Sequence, residues 1–152
     1  MQTFLPYSNF AQSAKCLDYR RLGKQRSEAL SIFKILIGEA KKNKNGKIPW
    51  ENHPAVKMWK GHEFLLLAYI LVICKEWQRR KYKDTVLEKS LKLADKFRKK
   101  IKNNYVLEQP NWFFNEKFHA SHRSNLLRKN KEYYSQFNWK EPDNLPYYWP
   151  VK

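Results

Sequence analysis

Between Cys16 and Leu30 the chain reads CLDYRRLGKQRSEAL, and its polar residues recur at helical spacing. At 3.6 residues per turn, Ala11, Ala14, Asp18, Leu22, Gln25, Ala29, Ile32 and Leu36 share one stripe. Asp18 and Gln25 stand where apolar residues would pack, and Arg21 and Glu28, three residues beyond each, lie on the adjoining row. One edge of the core face therefore carries a carboxylate, a guanidinium, an amide and a second carboxylate. Burying such groups unpaired is expensive. Either they satisfy one another as a helix–helix polar network, or they line a cleft and do chemistry there. In a cleft, an ionised Asp18 would stabilise developing positive charge or orient water. Arg21 and Gln25 would hold it ionised and aimed, and Arg20, Lys24 and Arg26 add positive charge around it.

A second polar set lies in HASHRSNLLRK. On a helix, His119, His122 and Arg123 fall on one face, with Asn125 and Lys129 nearby. Two histidines at i and i+3 can chelate a metal, but no carboxylate or cysteine sits at useful spacing, so no metal is expected. Contact with phosphate or a base fits these residues better. His53, in a loop before Pro54, is either a hydrogen-bonded loop residue or a further ligand contact. Gly-rich phosphate loops, Cys-x-x-Cys pairs, nucleophile elbows and the carboxylate sets of metal nucleases are all missing from the sequence, and no cofactor is expected.

These residues must be positioned by a chain of 152 residues, long enough for one domain over 1–152 with a real core. Lys and Arg number 31 against 14 Asp and Glu, a formal charge of +17. Such an excess points to a polyanion. Nucleic acid is preferred to an acidic membrane, because the arginines cluster near aromatic and polar residues; the plain alternative is a surface merely rich in lysine. Cys16 and Cys74 fall in apolar helical context, which suggests reduced thiols in a cytoplasmic protein. There is no signal-peptide pattern after Met1, and the longest apolar run, Phe64 to Cys74, is too short to span a bilayer.

Gln2 to Tyr7 should lie extended over the core and bring the N-terminus close to it. Asn9 and Gln12 resemble a capping pair, so the first helix is expected to start near Ser8 or Asn9 and run to about Ile37, stopping at Gly38. Gly23 in mid-helix implies a kink, a close approach of DNA backbone or tight helix packing. A basic surface loop (Lys41 to Gly46), a rigid loop (Pro49 to Pro54) and a short helix (Ala55 to Trp59) lead into a central helix from His62 to about Arg80. Thr85 and Glu88 look like the cap of the next helix. Its inward face would be Val86, Leu87, Leu91, Ala94, Phe97 and Ile101, and its outward face Lys89, Lys92, Lys96, Lys99, Lys100 and Lys102. An aromatic loop (Gln109 to Phe114) precedes a short helix over 118–129. The tail from Asn138, with Trp139, Tyr147, Tyr148 and Trp149 among three prolines, cannot be regular helix and should fill gaps with rings. The fold class is all-α: a compact bundle of three longer helices plus short ones and an irregular tail.

The runs Leu17 to Glu28, His53 to Gly61 and His119 to Lys129 resemble the pyrimidine-dimer DNA glycosylase superfamily, and within it a bacterial and viral branch of mostly uncharacterised proteins. Similarity to the characterised phage enzyme is weaker, resting on Tyr19-Arg20, Gly61-His62, Cys74 to Tyr82 and Tyr133-Tyr134. The resemblance implies a small helical enzyme that removes a damaged pyrimidine from duplex DNA. In characterised members the N-terminal α-amine attacks the sugar carbon, a glutamate on the first long helix assists, and the resulting imine allows strand cleavage. Aligning Tyr19-Arg20 puts Arg20 and Lys24 on DNA-contacting positions, but the family glutamate falls on Arg21; the nearest carboxylates are Asp18 and Glu28. The spacing from Met1 to the helix roughly matches that of the processed enzyme, so the amine of Met1 is the first candidate nucleophile. Lys24 is second, because a lysine needs a larger pKa shift to react at neutral pH.

The expectation is thus a monomeric glycosylase, with or without AP-lyase activity, acting on a damaged or modified pyrimidine in DNA. Its catalytic set is Asp18, Arg21, Gln25 and Met1. Its DNA contacts are Arg20, Lys24, Arg26, His53, His119, His122, Arg123, Asn125 and Lys129. The alternative is a non-catalytic nucleic-acid-binding module on the same scaffold, favoured by the displaced glutamate.

Overall fold

The computed structural model describes residues 1–101 and 105–151. Their regular structure is entirely helical: α1 (Phe10–Cys16), α2 (Tyr19–Leu36), α3 (Pro54–Lys57), α4 (Glu63–Arg79), α5 (Val86–Lys100), α6 (Glu116–Lys129) and α7 (Lys131–Tyr134), followed by a 3-10 turn at Ser135–Phe137. No described helix is long and apolar enough to cross a membrane.

The core forms where α2 lies along α4. Leu22, Ala29, Ile32 and Phe33 meet Leu66, Tyr69, Ile70 and Ile73, all fully buried; removing such side chains from water supplies most of the driving force for the bundle. Trp59 is also fully buried, edge-on to Trp112 at 4.9 Å. Gly23 is explained by packing: a Cβ there would come within 2.9 Å of the Trp77 ring. Gly38, at φ +79°, ends α2 as expected, with Glu39 N–H donating to the Lys34 carbonyl (2.8 Å) and Gly38 N–H to that of Ile35 (3.3 Å).

Three expectations need correcting. The single helix from Asn9 to Ile37 is two, because Leu17 and Asp18 are extended (ψ 135° and 159°) and turn the chain between α1 and α2. The turn is held from outside: the Tyr134 hydroxyl accepts from the Asp18 N–H at 3.1 Å and donates to the Asp18 carboxylate, while Arg80 donates to the carbonyls of Ala14 and Lys15. The stripe therefore begins in earnest at Leu22, and Ala11 is exposed. At α5, Thr85 makes no side-chain cap; Asp84 accepts from the Leu87 N–H instead, at 2.9 Å. On that helix Leu91 is exposed, and Leu93 packs against the core in its place. Lys89, Lys92, Lys96, Lys99 and Lys100 do face solvent; Lys102 lies outside the described residues.

Two irregular segments complete the bundle. Residues 2–6 are buried and outside any helix. They are strapped by Gln25 Oε1 accepting from Phe4 N–H (2.8 Å), His122 Nδ1 accepting from Leu5 N–H (2.8 Å), Tyr69 donating to the Phe4 carbonyl (3.0 Å) and Arg123 donating to the Pro6 carbonyl (2.7 Å). A buried segment outside regular structure has no ladder for its peptide groups, and buried peptide groups require partners; here side chains of three helices supply them. The tail from Asn138 crosses α6, with Trp139 stacked on Tyr134 at 5.6 Å and Tyr147 set edge-on to His122 at 5.8 Å.

Candidate active site

The strapped N-terminal segment ends at a hollow of about 370 Å³ lined by Met1, Gln2, Phe4, Arg20, Arg21, Lys24, Gln25, Glu28, Lys129 and Tyr147. Helix α2 supplies one wall. Arg20, Lys24 and Glu28 stand one turn apart along it, and Arg21 and Gln25 take the next row. Glu28 is the only carboxylate among the lining residues. Its Oε2 accepts from the Gln2 N–H at 3.0 Å, and its Oε1 lies 3.7 Å from the Lys24 ammonium. The carboxylate and the start of the chain are thereby tied together. Partial burial holds the Lys129 ammonium below the ordinary lysine value, and the positive charges of Arg21, Lys24 and Arg128 add to the effect. So many cations around one carboxylate make a site that is electrostatically incomplete until an anion enters.

The sequence-derived candidates divide cleanly. Met1, Arg20, Arg21, Lys24, Gln25 and Lys129 meet at the hollow. Gln25 does so as a strut: its Oε1 accepts from both Phe4 N–H and the Tyr69 hydroxyl. Asp18 does not line the hollow. It is buried, bonded to Tyr134, and paired with Arg21 at 3.3 Å. Burial and the Asp18 carboxylate raise the Tyr134 hydroxyl's pKa, so Tyr134 remains a donor.

Arg26, His119, His122, Arg123 and Asn125 do not line the hollow and are bonded within the protein. Arg26 pairs with Asp84 at 2.6 Å and lies 4.7 Å over the Trp77 ring. Both His119 nitrogens face carbonyls, those of Leu5 (2.8 Å) and Phe113 (2.7 Å). His122 is fully enclosed, and burial pushes its imidazole down to about 3, helped by the charges of His119 and Arg123. Arg123 bonds Glu116, Glu141 and Pro6, and the Asn125 amide donates to Ser121 and Leu145. This motif docks the N-terminal segment and the tail; the peptide groups it satisfies belong to segments with no ladder of their own. His53 sits between: half-buried, its Nδ1 accepts from Ala55 N–H at 3.0 Å. Burial lowers its pKa first, then the positive charge at the Met1 amine, with Glu28 opposing. The residue that periodicity placed beside the set without a role was Glu28, and its signal was the same i+3 offset from Gln25 that singled out Arg21 from Asp18.

A family model described as pyrimidine dimer DNA glycosylase matches residues 1–89. The chain belongs to that family. No curated protein and no solved structure matches it. The match spans the N-terminal segment and α1 to α4, so every lining residue of the hollow except Lys129 and Tyr147 lies within it. The family is one of DNA-repair glycosylases that act on DNA.

Proposed function

We propose that the protein is a monomeric base-excision glycosylase that removes a damaged or modified pyrimidine from DNA, using the Met1 α-amine as nucleophile and Glu28 as its carboxylate. The observation that carries the reading is the 3.0 Å bond from the Gln2 N–H to Glu28, which ties the second residue of the chain to the one carboxylate of the hollow that Met1 also lines. Arg20, Lys24 and Lys129 grip the phosphates flanking the target nucleotide. The amine's lone pair forms a bond to C1′ as the C1′–N1 bond breaks, and the departing base keeps that electron pair and takes a proton. The carboxylate faces the positive charge that develops on the sugar. It then accepts a proton from the attached amine and passes it to the ring oxygen as the C1′–O4′ bond opens, leaving an imine. From the imine, β-elimination of the 3′ phosphate would nick the strand.

Borohydride reduction on duplexes bearing a thymine dimer or an abasic site tests this. A covalent adduct mapped to Met1, lost when the N-terminus is acetylated, is the expected result. Free base without an adduct would make water the nucleophile. Absence of base release from any altered duplex, with DNA binding retained, would leave a non-catalytic DNA-binding module.

A further inference from the structure

Between α1 and α4 lies an open groove of about 320 Å³, which shares no residue with the hollow. Its floor is apolar, made by Ala11 and Ala14 of α1 with Leu71 and Val72 of α4. Two methyl side chains on α1 reach too little to cover α4, so Leu71 keeps 40% of its surface exposed midway along a helix that otherwise builds the core. The rim is cationic. Leu71, Lys75 and Arg79 follow one another a turn apart on α4, as Ala11 and Lys15 do on α1. Arg80 donates to the Ala14 and Lys15 carbonyls at 3.3 and 3.1 Å, so the C-terminal ends of the two helices meet. Both rows therefore carry their cations toward one end and their apolar residues away from it. Glu76, the one carboxylate in the lining, is neutralised internally: Arg79 donates to its two oxygens at 2.6 and 2.8 Å, and Arg80 adds a bond at 3.0 Å. Lys15 and Lys75 are exposed, and neither has an ion-pair partner among the described residues.

We propose that this groove docks an acidic amphipathic helix of a partner protein. The helix's apolar stripe covers Leu71 and Val72, and its carboxylates, a turn further along, meet Lys15, Lys75 and Arg79. Charge complementarity selects this occupant. A second copy of the chain would bring its own charge of +17 to a rim that is already positive. A DNA backbone would satisfy the lysines through its phosphates but bring no apolar stripe to the floor. A helix with apolar anchors at i and i+4 and carboxylates beside them answers both halves of the groove in one contact. The docking is independent of the base-excision reading, because groove and hollow are lined by different residues.

The test titrates the full chain into a fluorescein-labelled synthetic helix that carries a leucine stripe and glutamate elsewhere, with anisotropy read at physiological salt. Saturable binding is expected. Leu71→Gln should weaken it at least about tenfold, the effect of losing one buried leucine contact. Lys75→Glu should weaken it at least about fivefold. Lys89→Glu, the same charge change on the exposed face of α5, should leave it within about twofold. Lys75 is exposed, so its variant keeps the test decisive even where Leu71→Gln lowers the melting temperature. Equal binding of the same helix with alanine in place of leucine, undiminished affinity in both groove variants, or no saturable binding by the parent would overturn the docking. So would a duplex DNA whose own affinity falls as much in Leu71→Gln, which would make the groove a nucleic-acid face. A dimer in sedimentation that Leu71→Gln dissolves would overturn it too, in favour of an interface between copies.

Discussion

The outer edge of α2 and the inner face of α6 are built from the same kinds of side chain: arginine, an amide, and a cationic or imidazole group at helical spacing. On α6 these groups are buried and every strong hydrogen-bonding direction of Arg123 meets a partner, at Glu116, Glu141 and Pro6. On α2, Arg20, Lys24 and Lys129's neighbour Arg21 border a hollow with Glu28 as its one carboxylate. The difference is set by what each helix packs against. Helix α6 is crossed by two segments without secondary structure, whose peptide groups consume its polar side chains. The α2 edge is crossed by only the first residues of the chain, and its cations stay at the border of the hollow, Arg21 beside Asp18 and Lys24 beside Glu28. Similar residues therefore hold the fold together in one place and border an open hollow in the other.

The sharpest way to break that contrast is Glu28→Gln. The amide oxygen still accepts from the Gln2 N–H, so the melting temperature should hold, while base release from a thymine-dimer duplex falls at least about 100-fold. Asp18→Asn should do the opposite, lowering the melting temperature and leaving turnover within about threefold, because Asp18 serves Tyr134 and Arg21. If Asp18→Asn abolishes turnover and Glu28→Gln does not, the two carboxylates have been assigned the wrong way round.

On the α6 side, Arg123→Ala leaves the enclosed Glu141 carboxylate and the Pro6 carbonyl without their donor. Urea unfolding should show a loss of about 3 kcal/mol or more, with the DNA affinity of the folded fraction unchanged. His122 sharpens the same point through pH. Its folded value, about 3, lies below that of an unfolded histidine near 6.5, so between those values the unfolded chain binds a proton that the folded chain refuses. Its contribution to stability is present above about pH 6.5 and is lost as the pH falls toward 3, by at most about 1.4 kcal/mol per unit. Melting curves through that range should show the decline, and His122→Asn, whose Oδ1 can take the Leu5 N–H, should flatten it. The smallest effect is expected at Lys129→Ala. Stability should not change, affinity for DNA should drop a few-fold at low salt, and the slope of log K against log salt should shrink by about one.

The helical class, the buried central helix, the stop at Gly38 and the ring-filled tail were legible in the chain, because periodicity, a glycine cap and proline spacing act over a few residues. The break at Leu17–Asp18 was not. It depends on the Tyr134 hydroxyl, 116 residues away. The same limit explains α6, whose His-x-x-His-Arg pattern looks alike whether it faces phosphate or a buried carbonyl.

By itself, then, the sequence determined the inventory: a strongly basic helical chain with a polar row on its first long helix and an extended, apolar N-terminal segment. Only the tertiary structure decided which carboxylate shares a hollow with the first residue. A hydrogen bond from Gln2 to Glu28 joins positions 26 residues apart, and whether a polar group is sealed or left open depends on which distant peptide groups compete for it, which no local spacing encodes.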